Sequence, residues 1–468
     1  MKKYLYSKFW LLLLMIIPCN NLSAQLSLPS IFSDGMVLQR NAVVPIWGWA
    51  ASGDSVTVVP SWGKQFPVKT VADDLGKWSI KLETVEGGGP YELKVYTRNE
   101  TVLLKEVLLG EVWLCSGQSN MEWAASYGIK DKEIKVANAD CRTLHIFHVP
   151  KRGAYTPQND CEARWEVSSP ESMRRTSATA YFFARYLTQK LAVPVGIIVS
   201  AWGGTPIEVW LPDTEASKYG NNGAERYGRN MWRPVDSSVL YNQMIAPLVP
   251  YSVKGCIWYQ GETNCDYPSD YSDLMKGMIT SWRDAFENDF PFLYVQIAPY
   301  MYRSKSNGPA LLRKQQEKVL DEVENTAMIS ISDLVDDVKD IHPRNKRAIG
   351  ERLAFMAMDK VYGEYVAPYE SPRFRSVVKD GNSVILNFSG SFERLISDSK
   401  QIVGLEIIDE NGEKLSPKVE IKGRQVCISA KKIKNAFVVK YCFDDATVGS
   451  LRTEQGIPVL PFCTDVIE

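Results

Sequence analysis

The residues best suited to chemistry fall in four short blocks, each following an apolar run. The first is Ser119, where the strand-like run Val112 to Cys115 passes into Ser116, Gly117 and Gln118, with helix-compatible residues beyond. A serine at the carboxyl end of a strand and the start of a helix faces substrate, and backbone N–H groups of such a turn can face a developing oxyanion. Ser119 is therefore a candidate nucleophile, although the same serine also fits a helix cap. The second block is Trp202-Gly203-Gly204-Thr205, whose paired glycines either let backbone N–H groups approach a ligand or make a plain tight turn. The third, Gln260 to Asn264, offers side-chain amides and the Glu262 carboxylate, and it reads equally as a hydrophilic loop. The fourth is Asp340-Ile341-His342-Pro343.

Pro343 predicts a helix starting there, with His342 at or beside its N-cap. The helix dipole would then lower the histidine's pKa and favour the neutral imidazole that a general base needs. Asp340 lies two residues earlier, on the same side of an extended segment and within reach of the ring. The other two histidines, His145 and His148, fall on opposite faces of a predicted strand without a carboxylate nearby in sequence, and both read as structural. Asp333, Asp336, Asp337 and Asp340 lack the ligand spacing and glycine of an EF-hand. With three histidines and no close cysteine pair, neither a metal nor a cofactor is expected.

Parallel strands separated by helices would bring these blocks together. Apolar runs at Val112 to Cys115, Val195 to Ser200, Gly255 to Tyr259, Phe292 to Ile297 and Met328 to Ser332 alternate with helical segments such as Ala178 to Leu191 and the stripe Ile349, Leu353, Met356. Near-continuous apolar strands mean a parallel sheet covered on both faces, which binds ligands at the carboxyl ends of its strands. This α/β region is assigned to 108–365. Short alternating strands with glycine-rich turns predict a β-sandwich module over 25–107 and a second β module over 366–468.

Residues 1–24 carry Lys2 and Lys3, an apolar core from Phe9 to Ile17 and a small-residue end at Ala24, the pattern of a secretory signal peptide. The expected location is periplasmic or extracellular. No later apolar run approaches the length of a membrane span, so no membrane association is expected after cleavage. A net charge of -1 gives no reason to expect nucleic acid as partner. Beyond Cys19 of the leader, the cysteines are sparse and mostly lie in apolar runs, so buried thiols are expected, with Cys141 to Cys161 and Cys256 to Cys265 as candidate bridges.

With these blocks in place the chain resembles the SGNH (GDSL-type) hydrolases, and among them the sialate O-acetylesterase branch of carbohydrate esterases. The resemblance is carried by residues Gly110 to Trp123, Trp202 to Trp210, Tyr241 to Leu248, Ile257 to Asn264 and Asp340 to Pro343, and extends to Phe32 to Gln39 and Gly456 to Phe462. It implies a three-layer α/β/α, flavodoxin-like catalytic domain and a serine esterase that removes O-acetyl groups from sialic acids. By that resemblance Ser119, His342 and Asp340 form the triad, and the N–H groups of Ser119 and Gly204 hold the oxyanion. Two positions depart from the superfamily pattern. The triad Asp usually precedes His by three residues, where this chain has Lys339, so Glu262 competes with Asp340 for the acidic role. The superfamily's third oxyanion donor is an Asn in a Gly-x-Asn block, and here Gln260 or Asn264 must stand in. The implied partner is an O-acetylated carbohydrate: Trp202 can stack on a sugar ring, and Arg185, Arg233 and Arg313 can pair with a sialic acid carboxylate. Acetylated xylan or another plant polysaccharide is the alternative substrate, and a catalytically silent glycan-binding protein is the alternative from a different class.

Overall fold

A computed structural model describes residues 25–467 apart from 65, 131, 221–222, 303–306 and 430–435, so the leader lies outside the described residues. Its centre is a sheet in the order Thr326–Ile329, Phe292–Val295, Gly255–Tyr259, Thr101–Gly117, Val195–Ala201, Cys141–His148 and Trp165–Ser168. The last strand is antiparallel to its neighbour, and the other pairs are parallel.

The apolar runs explain this arrangement, because both faces of each central strand are covered. Trp113, Cys115, Ile257, Tyr259, Leu293 and Val295 point into one core, shared with Phe183 and Leu187 of helix Ala178–Leu191 and with Ile349, Leu353 and Met356 of helix Lys346–Tyr362. The intervening residues Leu114, Cys256, Trp258, Phe292 and Tyr294 point into the opposite core, against Leu274 and Met278 of helix Tyr271–Ala285 and Leu312 and Val319 of helix Gly308–Glu322. Alternation with period two thus feeds two helical layers, the expected α/β/α sandwich. Burying each such side chain is worth roughly 1.5–3 kcal/mol. Gly350 lets the first pair of helices touch, since a Cβ there would lie 2.6 Å from the Thr179 carbonyl oxygen.

Strand Thr101–Gly117 spans 17 residues and belongs to two structures. Its first half pairs with Gly88–Tyr96 and Val37–Gln39 of the N-terminal β module, and its second half pairs with Val195–Ala201 and Gly255–Tyr259. Val44, Ile46, Val56, Leu93 and Val107 accordingly share one continuous core with Leu114 and Trp258. The C-terminal module has its own core, including Val384, Leu386, Val439 and Phe462. It docks on helix Gly308–Glu322 through Arg373 Nε on Glu317 at 2.9 Å and through Arg313, which donates to the Asp444 carbonyl. All eight cysteines beyond the leader are free, including both candidate pairs.

Candidate active site

The turn after strand Thr101–Gly117 is shaped by a close backbone approach. Gly117 has φ +139°, and a Cβ there would overlap the Tyr259 carbonyl, so the strand ends could not meet with a larger residue. Gln118 N–H then donates to that carbonyl at 3.0 Å, and Ser119 opens a one-turn helix, Ser119–Glu122. Ser119 Oγ lies 3.0 Å from His342 Nε2. Trp123 stacks on the imidazole with ring centroids 4.0 Å apart and a 23° interplanar angle, fixing its plane.

Asp340 is the carboxylate nearest the far side of that ring. One oxygen accepts the His342 backbone N–H at 3.0 Å and stands 3.8 Å from Nδ1, an electrostatic rather than a hydrogen-bonded separation. The other accepts from Arg344 Nε at 2.6 Å. The helix begins at Lys346, with the Asn345 side chain accepting from Ala348 N–H, so His342 precedes the cap instead of occupying it. Residues 338–344 form a turn and bends rather than the expected extended segment, and the expected dipole effect is replaced by two others. Burial pushes the His342 pKa down, the Lys346 ammonium pushes it further, and Asp340 opposes them, leaving it at about 4. The imidazole is neutral at physiological pH by this different route.

Lys346 and Asn120 are the residues that sequence reasoning missed. Lys346 is completely buried, and its Nζ donates to Asn120 Oδ1 at 2.6 Å. Asn120 Nδ2 donates in turn to Glu262 Oε1 at 2.6 Å and to the Ile341 carbonyl at 3.0 Å. Burial lowers the Lys346 pKa to about 7 and raises that of Glu262. Glu262 therefore holds Asn120, whereas Asp340 attends the histidine. The only sequence signal for Lys346 was its spacing of four from His342, which suggests one helical turn and nothing about burial.

The glycine block lies beside Ser119. Gly203 N–H donates to Glu122 Oε2 at 2.5 Å, and Glu122 also pairs with Lys151 at 2.6 Å. Gly204 has φ +72°, its carbonyl accepts from Arg233, and a Cβ there would overlap the Trp232 ring. Gln260 and Asn264 are turned away from the site. Gln260 Nε2 donates to the Thr205 carbonyl at 3.1 Å and to Asn264 Oδ1 at 2.7 Å. Asn264 Nδ2 donates to Glu208 at 3.0 Å and to Tyr227 at 2.9 Å. Both amides tie the third loop to the second and neither borders the cavity beside Ser119.

That cavity measures about 590 Å³ and is bordered by Ser119, His342, Trp123, Trp202, Trp232 and Arg233, among others. Of the three candidate arginines, only Arg233 reaches it. Arg185 lies in a separate surface groove with Lys135, Phe182 and Glu351, and Arg313 is buried beneath the C-terminal module. Arg233 is half-buried, and its Nε is buried without a partner among the described residues. His145 is in the core against the Gly35 and Arg142 carbonyls, and the His148 Nε2 is buried without a partner among the described residues. Asp333 and Asp336 are engaged separately, by Arg352 and Lys130.

A serine and a neutral imidazole at the strand ends of an α/β/α sandwich fit a carboxylic ester hydrolase, and the comparisons place the chain in that class. It aligns with the crystal structure of a carbohydrate acetylesterase from Xanthomonas citri with a TM-score of 0.84 and 33% identity, covering 94% of this chain and 100% of that one. Residues 109–359 match the family described as carbohydrate esterase, sialic acid-specific acetylesterase, and the chain belongs to that family. The sialate O-acetylesterase of Homo sapiens is 32% identical, over 73% of this chain and 72% of its own length. That of Mus musculus is 29% identical, over 76% and 77%.

Proposed function

We propose that this chain works as a sialate O-acetylesterase, with Ser119 as nucleophile, His342 as general base and Asp340 as the acid that orients the imidazole. The observation that carries this reading is the 3.0 Å contact between Ser119 Oγ and His342 Nε2 inside the cavity. Asp340 favours the tautomer protonated at Nδ1, which leaves the Nε2 lone pair facing the hydroxyl. Ser119 Oγ attacks the acetyl carbonyl as His342 takes its proton, and backbone N–H groups of Ser119 and Gly204 face the oxyanion. The intermediate collapses with loss of the sugar oxygen, to which His342 returns the proton. A water, deprotonated by the same nitrogen, then attacks the acetyl-enzyme and releases acetate and free Ser119.

Arg233 supplies the charge that distinguishes a sialic acid from a neutral sugar. No carboxylate among the described residues forms an ion pair with it, while Trp232 lies 4.8 Å from its guanidinium. A buried Nε without a partner suits a carboxylate ligand. Trp202 and exposed Trp232 offer flat faces to the pyranose. The leader supports export, to the periplasm or beyond, where O-acetylated glycans would be the substrates of a degradative enzyme.

The test is acetate release by residues 25–468 from O-acetylated sialic acid and from acetylated xylan, beside Ser119→Ala. Release from the sialic substrate that disappears in the variant is expected. Release from xylan alone would overturn the substrate, and undiminished release by Ser119→Ala would overturn the nucleophile.

A further inference from the structure

Two backbone donors leave an oxyanion short of the side-chain donor that such sites employ, and both residues expected to provide it are engaged elsewhere. Gln118 remains. It immediately precedes Ser119, is 2% exposed, and nevertheless borders the catalytic cavity. Its Oε1 accepts two backbone N–H groups of the third loop, from Gly261 at 3.2 Å and from Thr263 at 3.4 Å.

Those two bonds determine which way the amide faces. Rotating it by a half-turn would set its NH₂ against two N–H donors, so the oxygen must point to the loop and the NH₂ away from it. No acceptor among the described residues takes the NH₂, and it is absent from the buried groups that lack a partner, so it retains access to the cavity that the residue borders.

We propose that Gln118 is the third oxyanion donor: its side-chain N–H hydrogen-bonds the acetyl carbonyl oxygen as that oxygen gains charge under attack by Ser119. This rests on Ser119 being the nucleophile. The donor is held in place before substrate arrives, because the same amide is fastened by its oxygen to the loop after strand Gly255–Tyr259. Little reorganisation is then needed as charge develops, which is where such donors gain their effect.

Gln118→Glu separates this role from a structural one. The carboxylate keeps an acceptor for Gly261 and Thr263 but removes the donor and opposes the developing charge. The expected result is a fall in kcat of about 100- to 1000-fold or more, with the fold retained by circular dichroism. Activity within fivefold of the parent, while Ser119→Ala is inactive, would overturn the assignment of Gln118 and leave the nucleophile standing. Activity surviving in Ser119→Ala would remove the basis of both. If Gln118→Glu folds poorly, Gln118→Ala is measured against two ligands. Affinity for a trifluoromethyl ketone that forms an adduct with Ser119 should fall about 100-fold or more, while affinity for free sialic acid holds within threefold. Equal losses for the two ligands would overturn the proposal.

Discussion

Exchanging Asp340 for asparagine removes a negative charge 3.8 Å from His342 Nδ1 while keeping nearly the same shape. The imidazolium formed during attack loses that charge's support. At an effective dielectric of about 20, two unit charges at this separation interact by about 4 kcal/mol. Since 1.36 kcal/mol corresponds to a factor of ten in rate, kcat/KM should fall about a thousandfold. The Arg344 guanidinium, no longer neutralised, would act in the same direction. The loss cannot come from protonation of the base at neutral pH. Asp340 raises the His342 pKa, so its removal drives that value below about 4 and moves the acid limb to lower pH. Glu262→Gln is the comparison, because its charge lies behind Asn120 and glutamine can still accept that hydrogen bond; its kcat/KM should stay within about tenfold. The assay is initial acetate release from O-acetylated sialic acid at neutral pH, with circular dichroism to confirm folding. A near-normal Asp340→Asn beside a Glu262→Gln reduced a hundredfold or more would refute the reasoning and transfer the acidic role to Glu262.

Three further outcomes follow from the same geometry. Lys346→Met removes the ammonium that opposes imidazolium formation, so the acid limb of kcat/KM should shift upward from about 4 toward the ordinary histidine value of 6.5, which a pH–rate profile reads directly. Arg233→Ala should raise KM for sialic substrates by about 10- to 100-fold, the worth of a hydrogen bond to a charged group, while a neutral acetyl ester keeps its KM within threefold; equal effects on both would remove Arg233 from carboxylate recognition. Gly204→Ala must adopt φ +72° and displace Trp232, so it should lose about 1–2 kcal/mol of stability in denaturant titration together with most of its esterase activity.

Much of this architecture could be read from the residues because apolar strands and their polar ends are local signals. The central strands followed from runs such as Gly255 to Tyr259, and the pairing of Ser119 with His342 followed from both standing beyond strand ends. Properties decided by partners from distant segments were not legible. The spacing of Gln260 and Asn264 shows amides but not that Thr205, Glu208 and Tyr227 take up their N–H groups. A lysine in Arg344 to Arg347 reads as a solvated charge, yet Lys346 is buried against Asn120. Arg185 and Arg313 were plausible on charge alone, and only packing separates them from Arg233. Pro343 suggests a helix starting there, whereas the Asn345 cap sets the start three residues later, at Lys346.

Strand Thr101–Gly117 carries a practical implication for anyone trimming this enzyme. A cut near residue 108 would divide one continuous strand and strip Val37–Gln39 and Gly88–Tyr96 from its first half. The shortened end would become a frayed edge on the same strand that leads to Ser119, with the shared core around Val107 opened to water. The N-terminal β module is thus the footing of the proposed nucleophile, and a hydrolase isolated without it should be unstable before it is inactive.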